Sequence, residues 1–333
     1  MNNSVVPARR RVAALATVAT VVLGSALATG QTAQADVAAS SGRTAAVAAP
    51  SSAVTVASYN VRKIYSTADW RNRRVAVADN IKSAAPDVIG LSEATPKTWA
   101  GNGRRQWDDL LVLMGKPYAL ATKGSDSSGT QLAYNSSRLS VASSGVKVLY
   151  KKGSARRYAV WAVFTDRLSG KEFFAVTTHL EPGSQINSGY NTVRIKQARQ
   201  VRDLAKTRSG GRPVVILGDM NSSRAARPYN GQYKVFTGAG YVDPLDNAKP
   251  NWDVGLHAIA ENIVDAQYNT ANHFSRQAPR TKLPIGTHID YLYVSPGIRV
   301  ETWRQVVSVD ADGAFVGTIP SDHNMIEMQV HLS

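Results

Sequence analysis

The chain has 333 residues, 43% of them hydrophobic, so it can bury a large core and lacks the profile of a disordered protein. It contains no cysteine, which excludes disulfides, thiolate metal sites and cysteine nucleophiles, so oxygen and imidazole would have to hold any metal. The formal net charge of +15 at pH 7 favours polyanions, acidic membrane surfaces or an anionic cell wall as surroundings, and says nothing about fold.

Arg9, Arg10 and Arg11 precede an apolar Ala/Val/Leu stretch that runs to about Ala28, and Ala33-Gln34-Ala35 supplies the small-x-small pattern of a signal peptidase site. Residues 1–35 are therefore expected to be an export signal cleaved after Ala35, which predicts a secreted, extracellular protein without a transmembrane anchor. Sec and twin-arginine routes both stay open. The stretch is short and rich in Ala, Thr and Gly for a membrane span, which disfavours a retained anchor. Removing it takes three arginines and no acid, so the remainder keeps a charge of +12. Residues 36–52 are low in complexity without a large apolar side chain and read as a flexible lead-in to one domain over residues 53–333.

Val54 to Asn60, VTVASYN, alternates and is β-branched, which predicts a strand ending on Asn60. Trp70 to Ala84 carries Val75, Ala78 and Ile81 at helical spacing, Pro86 stops it, and DVIGLSE follows as a buried strand ending on Glu93. Arg105 to Met114 predicts a second helix. TQLAYN, VKVLY, RYAVWAVFTD and KEFFAVTTHL then read as successive strands joined mostly by short polar turns. Tyr190 to Lys206 is read as a helix with Ala198, Val201, Leu204 and Ala205 inward and Arg194, Lys196, Arg199 and Arg202 outward. The apolar run VVIL stops on Gly218-Asp219-Met220-Asn221, and a loop-rich segment, Ser222 to Thr287, leads to strands HIDYLYVS, VETWRQVV and MIEMQVHL. This order implies two similar halves and an α/β fold: a four-layer sandwich of two mainly antiparallel β-sheets packed face to face with helices outside.

Polar groups recur where the strands end. Asn60, Glu93, His179, Asp219 with Asn221, and Asp290 each follow or begin an apolar run, and Asp322 and His323 stand just before the last strand. Gly-Asp-x-Asn alone is ordinary turn chemistry, and a lone Glu, Asn or His at a strand end is ordinarily structural. Collected on one edge of a sandwich, these residues are the material of a binding site.

ASYNVR, PDVIGLSEA, TTHLE, VILGDMNS, IDYLYVS and SDHNMI stand in the order of a known family. The chain resembles the endonuclease/exonuclease/phosphatase superfamily, which includes deoxyribonuclease I, apurinic endonucleases, neutral sphingomyelinases and inositol polyphosphate phosphatases. The resemblance implies a metal-dependent hydrolase of phosphate esters. It assigns a divalent cation, Mg2+ with Mn2+ or Ca2+ as alternatives, to Glu93 with Asn60 and Asp322, in keeping with the oxygen preference of hard cations. Asp219 and Asn221 would orient or deprotonate the attacking water and contact the phosphate. His323, partnered by Asp290, would be a general base or phosphate-binding group, and His179 would donate to a phosphate oxygen or assist the leaving group.

Arg62, just past Asn60, is the candidate phosphate contact, and His288, two residues before Asp290, a candidate substrate contact. Trp70, Arg71, Arg73 and Arg74 are read as structural. The basic turn Lys151 to Arg157 could follow a DNA backbone or be solvated. Two features depart from branches of the family. THIDYL replaces the Trp-Cys-Asp-Arg signature of inositol phosphatases, and no acidic partner for His179 is evident in SSGTQLAYN. The 222–287 segment offers only scattered aromatics such as Tyr229, Tyr233 and Trp252, unlike the apolar hairpin of a sphingomyelinase. The expected function is a secreted nuclease acting as a monomer on extracellular nucleic acid. A phosphatase, a sphingomyelinase or phospholipase C-type phosphodiesterase, and a non-catalytic polyanion-binding module are the alternatives.

Overall fold

Alternation in strand β1 (Ala53–Asn60) sends Val54 and Val56 to one face and Ala57 and Tyr59 to the other, and both faces are buried. A computed structural model of the chain describes residues 53–151, 156–246, 260–282 and 284–332. The expected export signal and lead-in lie outside the described residues.

Helix α1 (Thr67–Ala84) starts where the Ser66 side chain accepts the Asp69 N–H, and it stops at Ala85, which is left-handed and precedes Pro86. It carries the chain to β2 (Val88–Ser92), which lies parallel to β1. After α2 (Gln106–Met114), β3 (Tyr118–Leu120) and β4 (Gln131–Asn135) extend this sheet. Strands β5 (Leu139–Val148), β6 (Tyr158–Asp166) and β7 (Glu172–His179) form an antiparallel meander. The crossover helix α3 (Ser188–Arg208) then leads to β8 (Val214–Asp219), parallel to β7. Helix α4 (Gly231–Thr237), β9 (Asn262–Val264), β10 (Asp290–Val294), β11 (Arg299–Val306) and β12 (Met325–His331) complete the chain.

A seven-stranded sheet, β3-β4-β2-β1-β12-β11-β9, packs on a five-stranded sheet, β10-β8-β7-β6-β5. Val56, Leu132, Phe164, Phe173, Leu217 and Met328 belong to the core between them. Trp70, Ile81, Trp107 and Leu110 cover the outer face of the first sheet, and Ala198, Val201, Leu204 and Phe236 that of the second. Three apolar layers thus separate four structural ones, the expected sandwich. A side chain at Gly90 on β2 would overlap Leu217 and Thr177, so glycine there permits the sheets their close approach.

Several local readings are corrected. Val75 is 51% exposed and Val77 takes its place in the core, so the buried stripe of α1 is Trp70, Val77, Ala78 and Ile81. Arg194, expected on the outer face of α3, is fully buried. β5 begins at Leu139, seven residues before VKVLY, and β3, α4 and β9 arise in segments without usable periodicity. Among the described residues no helix is long and apolar enough to cross a membrane.

Candidate active site

Each sheet contains one parallel pair joined by a helix, β1-α1-β2 and β7-α3-β8, and a parallel pair delivers both of its strand ends to one edge. Asn60 ends β1, Glu93 follows β2, His179 ends β7 and Asp219 ends β8. Antiparallel neighbours reach the same edge with their beginnings. Asp290 opens β10 directly opposite Asp219, and Asp322 and His323 enter β12 beside β1. Strand direction therefore gathers residues from Asn60 to His323 on one edge.

Asp219 is the hub. Its Oδ2 accepts the Asn60 amide at 3.0 Å and lies 3.5 Å from His179 Nε2 and 4.0 Å from His323 Nε2, while Oδ1 accepts the Asn221 N–H at 2.8 Å. Gly218 precedes it at φ 135°, where a Cβ would overlap the Thr178 carbonyl oxygen, so the glycine is required for β8 to lie against β7. Asn221 is left-handed, φ 51°, and donates its amide to the Leu180 carbonyl at 3.1 Å. Arg62 and Glu93 are also left-handed, at 54° and 62°. Backbone strain in non-glycine residues thus gathers at this edge.

Burial, with the nearby charge of Asp290, raises the Asp219 carboxyl against the opposing pull of both histidines and of Asn60. His323 is buried too, which disfavours its charge. The Asp290 carboxylate, 2.8 Å from Nδ1, outweighs that with help from Asp219 and Asp322 and lifts the imidazole to about 10. His179 goes the other way: burial, reinforced by Arg157, His323 and Lys63, pushes it down to about 4 despite Asp219. At neutral pH the site holds an imidazolium and a neutral imidazole on either side of the Asp219 carboxyl.

Two carboxylates stand beside this hub. Glu93 Oε2 accepts the Lys63 N–H at 3.1 Å, and Asp322 Oδ2 accepts Arg62 Nη1 at 2.7 Å, so consecutive residues of one loop reach both acids. Asn60 has less to offer a cation than expected, because its amide N–H is spent on Asp219 and its oxygen already accepts the Arg62 N–H at 3.0 Å. Asp219, Asp290 and His323 also present ligand atoms within 4.8 Å of one another, and Asp290 Oδ1 is buried without a hydrogen-bond partner. A hard divalent cation prefers oxygen, so the separate carboxylates of Glu93 and of Asp322, the latter ion-paired with Arg62, are better donors than a set that includes the His323 imidazole. Glu93 and His179 also line a cavity of about 330 Å³ with Lys63, Tyr65, Arg156 and Tyr158.

His288 does not join this group. It is 5% exposed, its Nε2 lies 3.0 Å from the carbonyls of Ala266 and Tyr268, and its ring stacks on Trp303 at 5.3 Å. The expected substrate contact is thus a core residue, turned inward although only two positions from Asp290.

Two buried arginines build the loops: Arg73, read from the sequence as structural, and Arg194, whose burial sequence reasoning missed. Arg73, buried on α1, donates to the carbonyls of Val61, Arg62 and Lys63 at 2.6, 2.8 and 3.2 Å. Arg194 donates to those of Glu181 and Gly183 at 2.9 and 2.6 Å and fixes the chain just past His179. Asn272, whose N–H reaches the Asp322 carbonyl at 2.7 Å, and Phe274, 4.6 Å from the Arg62 guanidinium, hold the other side. An arginine at an inward helical position was the available signal for Arg194; the loop composition offered none for Asn272 and Phe274.

This sandwich with its acidic and histidine-bearing edge is that of a phosphoesterase with the deoxyribonuclease I-like fold. A model of the Endonuclease/Exonuclease/phosphatase family matches residues 57–323, and the chain belongs to that family of hydrolases acting on phosphate esters. Among solved structures it is similar to a family protein of Bacteroides vulgatus, with 23% identity, 84% of this chain and 99% of that one covered and a TM-score of 0.64. It is likewise similar to a mannosyl-6-phosphatase of Bacteroides thetaiotaomicron (20%, 83% and 99%, 0.64). The catalytic domain of human Nocturnin is a further likeness (16%, 85% and 95%, 0.58). No match was found among curated proteins.

Proposed function

We propose that the protein is a secreted, divalent-metal-dependent phosphodiesterase that cleaves nucleic acid. The observation that carries the chemistry is the placement of one carboxylate oxygen of Asp219 within 4.0 Å of both His179 and His323. A carboxyl raised by burial is a competent base, so Asp219 takes the proton of the attacking water, held in line by Asn60 and Asn221. His323, already protonated through Asp290, donates to the phosphoryl oxygens rather than serving as the base. His179 is neutral and donates an N–H without carrying charge. Glu93 and Asp322 would hold the cation, Mg2+ being the fit for an all-oxygen set, and when bound it supplies positive charge to the phosphate.

Nucleic acid is favoured by the charge of +12 that remains once residues 1–35 are removed and by Lys63 and Arg156, exposed cations at the cavity. One observation favours a phosphomonoester instead: the cavity, at about 330 Å³, is at the small end of ligand pockets and would hold a single sugar phosphate, the substrate class of the mannosyl-6-phosphatase. The test incubates the protein with plasmid DNA, RNA, sphingomyelin, inositol phosphates and mannose 6-phosphate, with Mg2+ or EDTA, beside His323→Ala. Relaxation or degradation of nucleic acid by the wild type only, and only with Mg2+, supports the nuclease. Release of phosphate or phosphocholine with nucleic acid intact replaces it.

A further inference from the structure

We propose that the cavity beside Glu93 and His179 is a nucleoside subsite, in which a base stacks on Tyr65 while the neighbouring phosphate of the strand meets Lys63 and Arg156. The proposal rests on the nucleic-acid reading above and deepens it. Tyr65 lines the cavity and is 56% exposed. It is not loose: the Arg62 guanidinium sits 4.5 Å from its ring centroid and the Lys63 ammonium 5.1 Å. Arg62 is in turn 4.6 Å from Phe274 and ion-paired with Asp322 at 2.7 Å, so the ring is coupled through one side chain to the hydrolytic centre. An aromatic ring tied through Arg62 to the loop bearing Asp322 can serve as a stacking platform, and every base has a π-face to offer it.

The cations divide into used and available. Arg157 is committed to Glu181 at 3.3 Å. Lys63 and Arg156 are exposed on the cavity with no acidic partner among the described residues. Two unneutralised charges beside an aromatic ring match a polyanion carrying bases. They do not match an acyl chain, for which the cavity provides no continuous apolar wall. A volume of about 330 Å³ limits occupancy to one nucleoside, so the strand must present a single unstacked residue there, and single-stranded nucleic acid or a strand end is the preferred form.

The experiment compares steady-state cleavage of a short single-stranded oligothymidylate with that of an abasic strand of equal length, using wild type, Tyr65→Ala, Tyr65→Phe and Arg156→Ala. The wild type should show a KM about tenfold lower for the base-bearing strand. Tyr65→Ala should erase that ratio with kcat held within about twofold, and Tyr65→Phe should restore it. Arg156→Ala should raise KM for both strands and reduce the salt slope of log KM by about 0.7. Melting temperatures equal to wild type confirm that the exposed substitutions leave the fold intact. An unchanged base-to-abasic ratio in Tyr65→Ala, with the wild type active on DNA, overturns this subsite alone. A wild type that cleaves neither strand yet hydrolyses another phosphate ester removes both the subsite and the nuclease reading.

Discussion

The Asn60 amide nitrogen lies 3.0 Å from Asp219 Oδ2, a single buried hydrogen bond that joins the end of β1 in one sheet to the end of β8 in the other. The two halves of the sandwich therefore meet chemically at the same carboxylate oxygen that the histidines flank. Orientation of that oxygen depends on both sheets keeping their register.

Asn60→Ala should cost about 100-fold in kcat/KM, because the carboxylate loses the donor that aims it, and about 1–3 kcal/mol of stability for a buried acceptor left short of a partner. Asn60→Asp should be worse, since it places a second acid against Asp219. Rate constants and urea melts of the two variants check this. Equal activity in Asn60→Ala would mean that Asp219 is held in some other way.

His323 binds its proton more tightly in the folded protein, at about 10 against an ordinary 6.5. Its contribution to stability is therefore complete below pH 6.5 and is lost as pH rises from there through about 10. Activity that requires the imidazolium should persist to alkaline pH. Asp290→Asn should move the alkaline limb of kcat/KM down by more than about one pH unit. A limb that stays in place in this variant would show that Asp290 does not charge His323.

His288 has the opposite sign. Burial, with Arg224 nearby, depresses it to about 4 although its two carbonyl contacts favour the charged form, so folding stability is present above pH 6.5 and declines as pH falls from 6.5 toward 4. The contribution is on the order of 3 kcal/mol across that window. His288→Gln should flatten the acid side of the stability curve without removing its slope, since His179 titrates in the same direction. Chemical denaturation at several pH values measures it, and an unaltered slope would place the acid sensitivity elsewhere.

Arg73→Met should destabilise the protein by roughly 3 kcal/mol and lower activity together, because three carbonyls lose their donor and the loop bearing Arg62 and Lys63 is released. Arg73→Lys should rescue little, since one ammonium cannot reproduce the guanidinium fork. A melting temperature within a degree or two of wild type in Arg73→Met would argue against this role.

Much of the site was legible in the sequence. An apolar run that halts on Asn60, Glu93, His179 or Asp219 marks a strand end, and the family order places those ends together. Partnerships were legible only in part. The family resemblance paired Asp290 with His323, which lie 2.8 Å apart, but the split of the two histidines into charged and neutral depends on distances and burial that spacing does not encode. Arg194 read as solvated because a charged residue on a helix usually is; only the carbonyls of the chain past His179 make its burial tolerable. His288 failed for a related reason: two-residue spacing places it on the face of Asp290 only if the strand extends that far, and β10 begins at Asp290 itself. Helix α4 and strand β9 have seven and three residues, too few for a hydrophobic period to declare itself.

The most direct test of the account is the Mg2+ dependence of phosphate-ester hydrolysis in wild type and Glu93→Gln, with Mg2+ binding measured by calorimetry on the same samples. Wild-type turnover should vanish in EDTA and return with Mg2+, while Glu93→Gln, folded by circular dichroism, should need at least about tenfold more Mg2+ for binding and for turnover. Undiminished hydrolysis in EDTA, or a Glu93→Gln variant that binds Mg2+ and turns over like the wild type, would contradict it.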